Sequence, residues 1–251
     1  MFLSDHSTIL ELWNTEILVM GKREIATATI KALIVMTIGV TVMAAVFFAA
    51  AGRLNITRAW VFFAVQLATY FAAIAVLYTF NPELIIHRLK RKVDAKAWDK
   101  VLMRVSNLTG LIGIAGVAGL DVGRYEWSHL DLPWALLGYV FWILSQIIFT
   151  WAMAVNKYFE PTVRIQKDRN HRVIMTGPYR IVRHPGYASG LLFYPAVPLA
   201  LGSAYAFIPA GVAFVLLVLR THLEDRTLSA ELEGYQEYAE KTKYRLIPGL
   251  W

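Results

Sequence analysis

The sequence predicts an all-α, polytopic membrane protein of about six transmembrane segments, the last two a helical hairpin, with a cytosolic C-terminal amphipathic helix. Three observations predict it. The composition is 57% hydrophobic with a mean hydropathy of +0.47, more apolar than a soluble domain of this length needs. Residues 32–52, 59–80 and 132–155 hold no charged side chain, and each run has the roughly 20 residues that carry a helix across hydrocarbon. Residues 185–219 are charge-free over 35 positions, about 52 Å as one straight helix and too long for a single crossing. Spans in lipid must be helical, because unpaired backbone groups find no partner there.

The elements follow in order. Residues 1–31 form an N-terminal interfacial segment, since Leu10, Trp13, Ile17 and Met20 recur at helical spacing. Asp5, Glu11 and Glu16, with no basic region followed by an apolar run, argue against a cleavable signal peptide. Residues 32–155 supply four transmembrane helices around a basic loop at 81–104. The third span, about 105–120, carries Gly110, Gly113, Gly116 and Gly119 every third residue. No strand precedes them, so close helix packing is expected rather than a nucleotide-binding loop. Pro195, Pro198, Gly202 and Pro209 break the run 185–219 into a hairpin turning near Gly202 and Ser203. Leu228, Leu232, Tyr235 and Ala239 then continue as one helical stripe until Pro248-Gly249.

Loops 81–104 and 156–184 each hold seven Lys or Arg, whereas 53–58 holds only Arg53 and Arg58, and 121–131 only Arg124. The positive-inside bias therefore puts both termini in the cytosol. The net charge of +7 is read as attraction to anionic lipid, and no nucleic-acid partner is expected. Without cysteine there is no disulfide, thiolate metal site or thiol nucleophile, and no metal is expected.

Chemistry is sought where ionisable groups meet the membrane. Gly177-Pro178 makes a turn, and Pro185 suits the first turn of a helix capped by His184. Arg183, His184 and the N–H groups of that turn would form an anion site. The same residues also suit interfacial anchors and a simple cap. Arg220 and Glu224, four apart, share a helix face, either as a surface ion pair or turned inward towards a ligand bearing both charges. S-adenosylmethionine is such a ligand, with a carboxylate, an ammonium, a diol, an adenine and a sulfonium. Arginine suits the first, acidic side chains the ammonium and diol, and the rings of Tyr179, Tyr187, Tyr235 and Tyr238 the last two.

At these residues the sequence resembles the isoprenylcysteine carboxyl methyltransferase family, its bacterial members and the related phospholipid methyltransferases. The first family pattern reads here as His171, Gly177, Tyr179, Arg183, His184, Pro185, Tyr187 and Gly190. The second reads as Arg220, Glu224, Asp225 and Leu228, with Asp225 in place of a glutamate. The ending Tyr244 to Gly249 is similar to bacterial members, and the likeness covers about 156–251. It implies a cofactor-binding region at 156–251 around the membrane hairpin 185–219, closed by the tail and open sideways to a lipidic or small apolar substrate. It also implies that His171, Gly177, Tyr179, Arg183, His184, Pro185, Tyr187, Glu224 and Asp225 bind S-adenosylmethionine. Arg220, which orients substrate, and Glu224 are the catalytic pair it implies. The bacterial likeness implies an inner-membrane location.

The expected reaction is methyl transfer to a carboxylate, thiol or amine, which demands alignment and exclusion of water rather than a covalent intermediate. Two other readings stay open. A sterol-reductase-like enzyme would use NADPH, against which the acidic Glu224-Asp225 pair argues, since phosphates want basic partners. A lipid-binding or transport protein would place polar groups at mid-membrane, where only Gln66, Asn107 and Gln146 stand.

Overall fold

A computed structural model describes residues 21–90 and 94–251. The N-terminal interfacial helix expected over Leu10 to Met20 lies outside the described residues. Among those described there is no strand, and five helices are long and apolar enough to cross a membrane. They are α1 (Lys22–Ala51), α2 (Thr57–Phe80), α4 (Ala97–Tyr125), α5 (Leu132–Val155) and α8 (Phe207–Glu231). Shorter helices are α3 (Pro82–Leu89), α6 (Pro185–Ala188), α7 (Gly190–Leu201) and α9 (Tyr235–Lys241). The chain is a multi-pass membrane protein.

Several boundaries differ from the sequence expectation. α1 begins at Lys22, because its first turns stay solvent-exposed and tolerate Lys22, Arg23 and Lys31. The third span starts at Ala97, eight residues early, and is wound as π-helix over Leu108–Gly113 and Leu120–Tyr125. The basic loop 81–104 is thus partly helical, divided between α3 and the start of α4. The segment expected as the penultimate crossing divides into α6 and α7, and the 12-residue α7 covers only about 18 Å. Gly202, at φ +90°, ends α7 where the turn was expected. The tail stripe is not one helix: α8 stops at Glu231, Gly234 adopts φ +78°, and α9 restarts at Tyr235.

Close packing fixes the bundle. α7 lies along α5 at Gly138, where an added Cβ would meet Ala200 N at 2.5 Å and Ala196 O at 2.9 Å. Of the four spaced glycines, Gly119 is the one that backbone contact demands, since its Cβ would sit 2.2 Å from Phe47 O of α1. Gly110 faces open space and Gly116 makes ordinary contact. A central core of Phe47, Phe62, Trp142 and Val197 joins α1, α2, α5 and α7.

Each end of the bundle is tied differently. At one end, Arg58 of α2 donates to the carbonyls of Leu199, Ala200 and Leu130, placing a cation at the C-terminus of α7. Nearby, buried Asp121 accepts from Ser128 N at 2.7 Å and from the Ser128 and Ser203 hydroxyls. At the other end the two basic loops meet. Lys96 N donates to Val163 O at 3.1 Å, and Arg164 Nη1 to Asp94 at 3.0 Å. The candidate site lies at that end.

Candidate active site

The loop after α5, the turn into α6, the end of α8 and α9 enclose a cavity of about 250 Å³. Its lining includes His171, Tyr179, Arg183, His184, Tyr187, Arg220 and Glu224, seven of the ten residues singled out from the sequence. Gly177, Pro185 and Asp225 stand outside the lining. Gly177, at φ +56°, packs its turn against Trp151 and Val155 of α5. Pro185 opens α6 with His184 at the cap position, but the His184 side chain makes no capping bond.

That imidazole turns to Asp225 instead. Asp225 Oδ1 accepts from Arg183 Nε at 2.8 Å and Tyr235 OH at 2.8 Å, with His184 Nε2 at 3.0 Å. Oδ2 accepts from Arg183 Nη2 at 3.1 Å and Arg245 Nε at 2.7 Å. Five contacts saturate a carboxylate, which offers about four lone-pair sites. Asp225, 4% exposed, is therefore a bracket behind the cavity wall and has no capacity left for a ligand.

The anion site expected at the start of α6 is filled from within the chain. Arg183 N donates to Tyr244 O at 2.9 Å and His184 N to Arg245 O at 3.0 Å. Arg183 Nη1 donates to the carbonyls of Thr242 and Lys243 at 2.9 and 2.8 Å. The tail comes back across these donors and uses them, so Arg183 clamps the tail rather than presenting a bare cation.

Arg220 and Glu224 share a face of α8, but they do not pair directly. Arg220 Nε donates to Asp99 Oδ1 of α4 at 2.7 Å and Nη2 to Pro161 O at 2.6 Å. Its guanidinium lies 5.3 Å from the centre of the Tyr187 ring, a cation–π contact. The Tyr187 hydroxyl donates to Glu224 Oε2. Glu224 Oε1 has no side-chain partner among the described residues, and Glu224 lines the cavity. A ring thus separates the guanidinium from the carboxylate, with both held against the same void.

Aromatic groups complete the wall. Asn156 Nδ2 donates to Tyr179 OH at 2.8 Å, and Tyr238 OH to Tyr179 O at 2.7 Å. Burial raises the pKa values of Tyr179, Tyr235 and Tyr238, so these phenols stay neutral. His171 tilts against Tyr158 with ring centres 4.5 Å apart. Burial first, then Arg169, lowers its pKa from 6.5 to about 4. A neutral His171 ring contributes stability that is complete above 6.5 and is lost as pH falls towards about 4. An NMR titration of histidine-labelled protein should find this imidazole neutral at pH 6; a midpoint near 6.5 would refute the assignment.

Sequence reasoning missed Asp99 and Arg88. Asp99 is fully buried and also accepts from Val163 N at 2.8 Å. Both charges share a helix face with apolar residues: Asp99 with Leu102 and Met103, Arg88 with Leu84 and Ile85. A charge on an apolar stripe was the available signal.

With that geometry in place, comparison with known proteins adds one finding. Residues 136–230 match the isoprenylcysteine carboxyl methyltransferase (ICMT) family. Over these residues the chain is similar to the ICMT family. The segment runs from within α5 to the end of α8 and holds His171, Tyr179, Arg183, His184, Tyr187, Arg220 and Glu224 of the cavity lining. The ICMT family is one of methyltransferases, so this segment and the long apolar helices together mark a membrane methyltransferase. Asp99, Arg88, Tyr235, Tyr238 and Arg245 lie outside the ICMT match. No curated protein matches the chain.

Proposed function

We propose that the chain is an S-adenosylmethionine-dependent methyltransferase whose acceptor is an apolar or lipidic molecule entering from the bilayer. One observation carries this reading: the two motif segments, His171 to Tyr187 and Arg220 to Glu224, line one cavity although an apolar hairpin separates them. The donor set fits the cofactor. Glu224 Oε1 suits the ammonium or ribose diol, and the rings of Tyr179, Tyr187, Tyr235 and Tyr238 suit the adenine and the sulfonium. When bound, the cofactor supplies an electrophilic methyl group on a positively charged sulfur.

The chain's own residues then have distinct tasks. Tyr187 fixes the Glu224 carboxylate, and Asp99 fixes Arg220, so neither charge must reorganise as the acceptor arrives. Arg220 orients the acceptor. Asp225 holds Arg183, His184 and Arg245 and so keeps the tail closed, which excludes water. A carboxylate acceptor needs no base; a thiol or amine would pass its proton to Glu224 or His184. We place the cofactor-binding region in 156–251, with α3 and α4 contributing Arg88 and Asp99. We also place both termini in the cytosol of an inner membrane, with α6 and α7 as a sixth, short crossing.

Glu224→Ala is expected to abolish cofactor binding in calorimetry while leaving thermal unfolding within about 1 kcal/mol of wild type. Undiminished affinity in that variant would end the reading.

A further inference from the structure

Four guanidiniums that are at least partly buried line the cavity: those of Arg88, Arg164, Arg183 and Arg220. Three are neutralised by carboxylates of the protein. Arg164 pairs with Glu160, Asp94 and Asp168, Arg183 with Asp225, and Arg220 with Asp99. Arg88 differs. Its Nη1 donates to Phe159 O at 3.0 Å and its guanidinium lies 5.6 Å from the Phe159 ring centre. Among the described residues no carboxylate pairs with it.

The helix explains the placement. Leu84 and Ile85, one turn earlier on α3, are 0% and 2% exposed, and Arg88 follows them on the inward face. A guanidinium carries five N–H donors in a planar fork that matches a carboxylate two at a time. Among the described residues, Phe159 O is the one acceptor that Arg88 donates to. Burial pushes its pKa down to about 10, against the opposing charge of Glu160 and with a smaller push from Arg220. Glu160 acts on Arg88 only from a distance. A desolvated cation with no carboxylate in direct contact is unfavourable, and an anion beside it relieves that cost.

We infer that Arg88 binds a carboxylate-like anionic group of the ligand that occupies this cavity. The inference rests on the methyl-transfer reading above. Two groups have the required chemistry, the amino-acid carboxylate of the methyl donor and a carboxylate on the acceptor. Arg88 is a binding residue contributed from outside the matched family segment.

Calorimetry on the full chain in detergent separates the sources, using Arg88→Gln, Arg88→Lys and four probes: S-adenosylmethionine, its decarboxylated form, octanoate and octan-1-ol. If the donor carboxylate is held, Arg88→Gln weakens S-adenosylmethionine about tenfold or more and leaves the decarboxylated form unchanged. If an acceptor carboxylate is held, the same loss appears for octanoate and not for octan-1-ol. In either case Arg88→Lys keeps part of the affinity, which also guards against a glutamine variant that misfolds. Equal affinities for all probes in wild type and variant, or equal losses for charged and neutral probes, would overturn the inference. A wild-type chain that binds neither form of the donor would defeat the methyl-transfer reading instead, and the octanoate arm would still decide the role of Arg88.

Discussion

Asp225→Ala is expected to destabilise the protein by about 3–5 kcal/mol, because it strands a buried guanidinium. Arg183 and Arg245 lose their shared carboxylate, and His184 and Tyr235 lose the acceptor that orients them. The damage should be local before it is global. Thr242, Lys243, Tyr244 and Arg245 are held through Arg183 and His184, so the tail should loosen first. Hydrogen exchange followed by mass spectrometry should show faster exchange over 235–251 than over the central core of α1, α2 and α5. Asp225→Asn keeps the shape and loses the charge, and should fall between the two. Unchanged tail protection in Asp225→Ala would mean that the tail is held by its apolar contacts alone.

The second large effect concerns Asp99 and Arg220. Removing either partner leaves the other charge buried, and about 3–5 kcal/mol should be lost from thermal unfolding in each single variant. The double replacement Asp99→Leu with Arg220→Met removes both charges together, and most of that stability should return. Methyl transfer should not return, because Arg220 is assigned to the acceptor. Stability that stays low in the double variant would show that the hydrogen bonds to Val163 and Pro161, rather than the charge pair, hold the two loops.

The membrane class was legible because charge-free runs have one physical meaning in a chain this apolar. Helix ends were less so. α4 starts at Ala97 because its charged first turn can pair across the bundle: Asp99 is 121 positions from Arg220, and no periodicity encodes such a partner. The tail stripe read as continuous since Leu228, Leu232, Tyr235 and Ala239 do pack into one cluster with Tyr179. They reach it from two helices joined at Gly234, not from one. In the site, residues singled out along 171–190 and 220–225 come together on the wall of one cavity. Their roles did not follow from type: Arg183 looked like an anion receptor, and its donors were spent by carbonyls that fold back from Thr242 to Arg245. Asp225 looked like a ligand contact, and five protein contacts fill it.

One uninterrupted rod, α8, starts at Phe207 among exposed apolar residues and ends at Glu231, and it bears Arg220 and Glu224 on the way. Thirteen residues separate Phe207 from Arg220, about 20 Å along the axis. On the proposed methyl-transfer reading, the groups assigned to the reaction are therefore suspended at a set depth by a ruler that the chain cannot stretch. A molecule whose polar end rides at that level in the leaflet arrives already aligned, while one whose head sits higher or deeper must pull out of its own equilibrium position before it can react. On that reading, selection among acceptors begins in the bilayer, by where each one floats, before any side chain touches it.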